Sequence, residues 1–107
     1  MKTTISLNRD QQTLTIVIPG DLTSTHVREL RAEIDAVLAE SPVHWQLLLF
    51  DLTAAKMVDS MGLNLIVAVY KAAQRSGAKM RLTCSNPNVH RALIFTRLDK
   101  FVELVMV

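Results

Sequence analysis

The sequence predicts one α/β domain spanning residues 1–107, with a mixed, mostly parallel sheet covered by helices. Three observations carry this prediction. Strand-like and helix-like segments alternate along the chain after an opening pair of strands. The stretch Trp45–Leu52 is a dense apolar run, the pattern of a parallel strand covered on both faces. Finally, 107 residues, 50% of them apolar, suit one compact core and are too few for two ordinary domains.

Each element follows from its spacing. Ile5 and Leu7 alternate with polar neighbours, and Asn8 to Gln12 reads as a turn. Leu14, Ile16 and Ile18 then alternate with Thr13, Thr15 and Val17, which predicts a hairpin. Pro19-Gly20-Asp21 ends that strand. A helix capped by Thr23 or Ser24 follows, with Val27, Leu30, Ile34, Val37 and Leu38 on one stripe, and Ser41-Pro42 closes it. After the Trp45–Leu52 strand, residues 53–60 read as a loop into a helix that starts near Met61 and runs to about Arg75. Its apolar positions are Leu63, Ile66, Val67 and Tyr70, and Ser76-Gly77 is its stop. Met80, Leu82 and Cys84 form a strand, Asn86-Pro87 opens a short helix carrying Val89, Leu93 and Ile94, and Phe101–Val105 is the last strand. The order is βαβαβαβ after an N-terminal hairpin strand, which requires parallel neighbours joined by crossovers.

Composition narrows the functional classes. Twelve basic and ten acidic residues leave a net charge of +2, and the basic residues are scattered. That disfavours a nucleic-acid surface. The single cysteine, Cys84, excludes a disulfide within the chain and reads as a buried thiol in a reducing compartment. The start of the chain lacks the apolar stretch of a signal peptide. The longest apolar run, Leu65–Tyr70, is far too short for a membrane span, so a cytoplasmic location without membrane insertion is expected. His26, His44 and His90 have no spacing for metal ligation, and no nucleophile–base pair or glycine-rich phosphate loop is visible. The expectation is a protein that is not an enzyme and carries no cofactor. Trp45 reads as a packing residue between helix and strand.

Parallel sheets place function in the loops at the carboxyl ends of their strands. Here those loops are Pro19–Ser24, Thr53–Ser60 and Ser85–Asn88. The most informative segment is Asp59-Ser60-Met61-Gly62-Leu63. Ser60 stands where an N-cap is expected, and the free N–H groups of the helix start would also favour an added phosphate. On these five residues alone a purely structural account, with Ser60 a cap and Gly62 a close-packing position, is the stronger one. Asp51 and Asp59 read as structural or phosphosite carboxylates rather than paired catalytic acids. Met57 and Met61 flank the serine and suit either a docking surface or the core.

The chain as a whole resembles the STAS family of anti-sigma factor antagonists. The resemblance rests on the hairpin, Pro19-Gly20-Asp21-Leu22, the apolar strand ending in Asp51, and Met57-Val58-Asp59-Ser60-Met61-Gly62-Leu63. It continues through Tyr70-Lys71, Gly77-Ala78-Lys79-Met80, Asn86-Pro87-Asn88-Val89 and Leu98-Asp99-Lys100-Phe101. It implies a partner switch. The unphosphorylated domain binds an anti-sigma factor that is also a serine kinase of the histidine-kinase-like ATPase fold, freeing the sigma factor. The kinase phosphorylates the serine after the aspartate, here Ser60, and a PP2C-type phosphatase resets it. The implied contact face comprises Asp21, Thr23, Ser24, Met57, Asp59, Ser60, Met61 and Gly62, with Asn64 and Lys71 on the following helix. The chain departs from many relatives at Met61, where they carry Ser or Thr, and at Thr23, where they carry an acid. With Val107 the last residue, the extra carboxyl-terminal helix of many relatives is expected to be short or missing. The rival expectation is a STAS subunit of an ABC lipid transporter or stress-sensing assembly that binds its partner without a phospho-switch.

Overall fold

The structure is a computed structural model that describes residues 4–8, 12–40 and 46–107. The expected turn at Arg9–Gln11, the helix stop at Ser41-Pro42, and His44 and Trp45 lie outside the described residues. The strands are β1 (Thr4–Asn8), β2 (Thr13–Val17), β3 (Leu47–Leu52), β4 (Lys79–Cys84) and β5 (Glu103–Met106). The helices are α1 (Ser24–Glu40), α2 (Ser60–Arg75) and α3 (Pro87–Phe95), followed by a 3₁₀ turn at Leu98–Lys100.

The strands form one sheet in the order β1-β2-β3-β4-β5. β1 pairs antiparallel with β2, and every later pair is parallel. Ile16 stands opposite Phe50, and Phe50 opposite Leu82, so one row of core side chains crosses the middle of the sheet. The mostly parallel α/β architecture is therefore as expected from the alternation of elements.

Burial alternates strictly along β2 and β3. Leu14, Ile16, Leu48, Phe50, Leu52, Met80, Leu82 and Cys84 share one apolar cluster with Leu30 and Ile34 of α1, Leu65, Ile66, Val69 and Ala73 of α2, and Val89 and Leu93 of α3. The helices thus cover one face. Leu47 and Leu49 point to the other face, are half-buried, and stand outside that cluster. This corrects the expectation that the apolar run is covered on both faces: its density reflects β-propensity on an open face as well as burial.

Two further boundaries moved. The last strand starts at Glu103, not Phe101, because the 3₁₀ turn consumes Leu98–Lys100 and Phe101 stays exposed against Tyr70, with ring centroids 6.1 Å apart. The buried stripe of α2 is Gly62, Leu65, Ile66, Val69 and Ala73, whereas Leu63, Val67 and Tyr70 flank it half-buried. Of the four apolar positions expected from the sequence, only Ile66 belongs to that buried stripe. The stop of α2 is as read. Ala78 N–H donates to Ala73 O at 2.9 Å and Gly77 N–H to Gln74 O at 3.1 Å, with Gly77 at φ +74°. This is a Schellman ending, which favours glycine at the left-handed position.

Candidate docking and modification site

Because β2, β3 and β4 run parallel, the segments leaving their carboxyl ends gather at one edge. The two that matter are 18–24 and 53–60. Leu22 forms an isolated parallel bridge with Val58. Its N–H donates to Met57 O at 3.0 Å, and its carbonyl accepts from Asp59 N–H at 3.2 Å. One Asp21 carboxylate oxygen accepts from the N–H groups of Lys56 at 2.8 Å and Met57 at 3.2 Å. The two loops are thus held together by backbone groups that would otherwise be unpaired.

Asp59 completes the junction. Its Oδ1 accepts from Gly62 N–H at 2.9 Å and caps α2. Its Oδ2 accepts from Ser24 N–H, the first residue of α1, at 2.7 Å. One carboxylate therefore serves the N-termini of two helices, where the free N–H groups and the helix dipoles both favour negative charge. Its pKa is accordingly lowered, first by the Gly62 N–H, then by the Ser24 N–H, against a smaller opposing effect of burial. Gly62 is buried, and a Cβ there would fall on the Leu22 carbonyl, with Leu22 Cγ 3.0 Å away. That is why α2 tolerates a glycine in its first turn.

Asp59, not Ser60, is the N-cap, which corrects the sequence reading. Both residue types cap well. The second carboxylate oxygen of Asp59 also accepts from the N–H of Ser24, 35 residues distant. Ser60 becomes the first helical residue. It is exposed, and its hydroxyl bonds no other described residue. Met57 and Met61 beside it are 59% and 49% exposed, so the core alternative for both is ruled out.

Asp21, Thr23, Ser24, Met57, Asp59, Ser60, Met61 and Gly62 all lie at this edge. Within the group, Asp21, Asp59 and Gly62 hold the loops and helices, while Ser24, Met57, Ser60 and Met61 present exposed side chains. Asn64 is exposed one turn along α2. Lys71, also exposed, lies about 16 Å down the helix from Ser60 at 1.5 Å per residue. Asp51 accepts from Thr53 N–H at 2.9 Å, and the Ser85 hydroxyl donates to Thr53 O at 2.7 Å, so both secure the 53–55 turn. Cys84 is buried, and burial pushes its thiol pKa up. Among the described residues, no three His, Cys, Asp or Glu side chains gather to hold a metal, and no helix is long and apolar enough to cross a membrane.

Comparison with known proteins agrees with this geometry. Residues 4–106 match the STAS domain family model. An anti-sigma factor antagonist from Mycobacterium paratuberculosis superposes with a TM-score of 0.81 at 22% identity, over 98% of this chain and 85% of that one. The Bacillus cell fate determinant SpoIIAA, an anti-sigma factor antagonist, superposes in its unphosphorylated form with a TM-score of 0.77 at 18% identity, over 95% and 86% of the two chains. Its phosphorylated form gives 0.69 at 17% identity, over 95% and 89%. A sulfate transporter family protein from Wolinella succinogenes gives 0.74 at 12% identity, over 94% and 80%. With its sheet order, its two-helix junction and a family match over nearly its whole length, the chain belongs to the STAS domain family.

Proposed function

We propose that this protein is an anti-sigma factor antagonist that acts by docking rather than by catalysis, in the cytoplasm, and is switched by phosphorylation of Ser60. The observation that carries the reading is the setting of Ser60: an exposed hydroxyl that bonds no other described residue, at the first position of α2, between two exposed methionines, on a loop pair locked by Asp21, Leu22 and Asp59. A kinase needs an accessible hydroxyl, and Ser60 is exposed. A docking partner needs an apolar rim, and Met57 and Met61 supply it.

In this reading the unphosphorylated face, with Thr23, Ser24, Asn64 and Lys71 around the serine, binds an anti-sigma factor that is also a serine kinase of the histidine-kinase-like ATPase fold. Phosphorylation adds about −1.5 to −2 charge at neutral pH. The best donor groups nearby, the N–H groups of Gly62 and Ser24, are already taken by Asp59. The phosphate therefore faces outward beside another carboxylate and must be desolvated on docking, which weakens binding. A PP2C-type phosphatase restores the hydroxyl. SpoIIAA, which is described in phosphorylated and unphosphorylated forms, supports a switch of this kind in a chain of the same fold.

The likeness to a sulfate transporter family protein favours one second reading: the same face binds a transporter or sensory partner and Ser60 stays unmodified. Incubation with the serine kinase that co-purifies from source cells, with ATP, separates the two. Mass spectrometry should find phosphate on Ser60; phosphate only on Thr53 or Ser85, or none with a kinase active on another substrate, would favour the second reading.

A further inference from the structure

α1 and α2 begin together at Asp59 and run side by side down the helical layer. Between them lies an open groove of about 750 Å³. On α2, Ser60, Asn64, Ala68, Lys71 and Arg75 follow one another at intervals of three or four residues, so one stripe leads from the serine along the groove. Leu38, Leu65, Val67 and Ala72 give the groove an apolar floor. Among the described residues that line it, the charges are Arg31, Lys71 and Arg75 against the single carboxylate of Asp35. Arg31 meets Asp35 only at 3.8 Å, with both side chains more than half exposed, an arrangement worth little in water. Lys71 and Arg75 make no ion pair with any described residue.

We infer that this groove receives an acidic amphipathic helix of the docking partner, its apolar face on Leu38 and Val67 and its carboxylates on Arg31, Lys71 and Arg75. The inference rests on the docking reading above and names the partner's chemistry. A helix laid in a groove uses apolar anchors for affinity and flanking charge for orientation and rate. The excess of unneutralised cations selects acid over base. The stripe also explains how a modification at one end acts on the whole contact: a phosphate on Ser60 stands where the incoming acidic helix arrives, and like charges repel.

The test places the photo-crosslinking residue p-benzoylphenylalanine at Met61 or at Asp35, in source cells, and maps the adducts by mass spectrometry. Met61 reports the Ser60 face, and Asp35 reports the groove. Both positions should capture the same partner, with the Asp35 adduct on an acidic, amphipathic helical segment. In the purified complex, Lys71→Glu with Arg75→Glu should weaken binding by about tenfold or more, with a smaller loss at high salt, while Lys71→Arg with Arg75→Lys retains affinity. Capture at Met61 with none at Asp35, or full affinity in the charge-reversed variant, would overturn the groove and leave the docking reading standing. Capture at Asp35 of a basic segment, or of a second copy of this chain, would also overturn it. Absence of adducts at both positions would overturn the docking reading as well.

Discussion

The two ends of α2 are built by opposite means. At Gly77 the stop is local: two hydrogen bonds within six residues and one positive φ. At Asp59 the start is non-local. Its carboxylate reaches α1, its N–H reaches Leu22, and the first turn of α2 is pressed against the Leu22 carbonyl. The local end merely terminates a helix. The non-local end fixes the position of an exposed serine relative to two loops and two helices, and that is where we place function.

Substitutions should separate the ends by size of effect. Gly62→Ala should be the most damaging, about 3 kcal/mol, because the clash is with backbone that no rotamer change relieves. Chemical denaturation measures it. Asp59→Ala should cost about 2 kcal/mol, since it strips the caps of two helices at once. Its effect should depend on pH. The folded-state pKa of Asp59 is lowered, so its contribution is complete above the ordinary aspartate range of about pH 4 and is lost as pH falls below it. The stability gap between the wild type and Asp59→Asn should therefore shrink in acid; a gap constant from neutral pH to pH 3 would mean that the carboxylate does not hold the two helices.

At the other end, Gly77→Ala should cost about 1 kcal/mol, from backbone strain alone, because open space surrounds the position. Ser60→Ala should be nearly silent, within about 0.5 kcal/mol, as expected of an exposed residue that caps nothing. A loss of about 1 kcal/mol there would restore Ser60 as the cap and undo the account of Asp59.

The same division decides what could be read in the sequence. Hydrophobic alternation in β2 and β4, the stop at Gly77 and the Asn86-Pro87 start of α3 are local patterns, and each is where its residues suggest. The family resemblance, carried by an ordered series of short motifs, brought Ser60 and its neighbours to one edge. What stayed hidden was contact across distance. Asp59 and Ser60 are both good caps, so the pair alone does not say which one caps, and nothing in it shows that Asp59 also reaches the N–H of Ser24. Nothing in Pro19-Gly20-Asp21-Leu22 says that Asp21 bonds the backbone of Lys56 and Met57. The basic groove escaped notice for the same reason: Arg31 and Arg75 look like scattered charges until two helices lie side by side.

The central claim is that Ser60 is a switch and Asp59 the scaffold that presents it. The most direct measurement is the affinity of the Ser60→Asp and Ser60→Ala variants for the anti-sigma partner, with the stability of each recorded alongside. Both variants should fold with wild-type stability to within about 0.5 kcal/mol, since neither touches the cap. Ser60→Ala should bind as the wild type does, and Ser60→Asp should bind at least about tenfold more weakly, its added charge standing on the docking face. Equal affinity for all three proteins would contradict the account, because a charge at the proposed switch would then leave docking untouched.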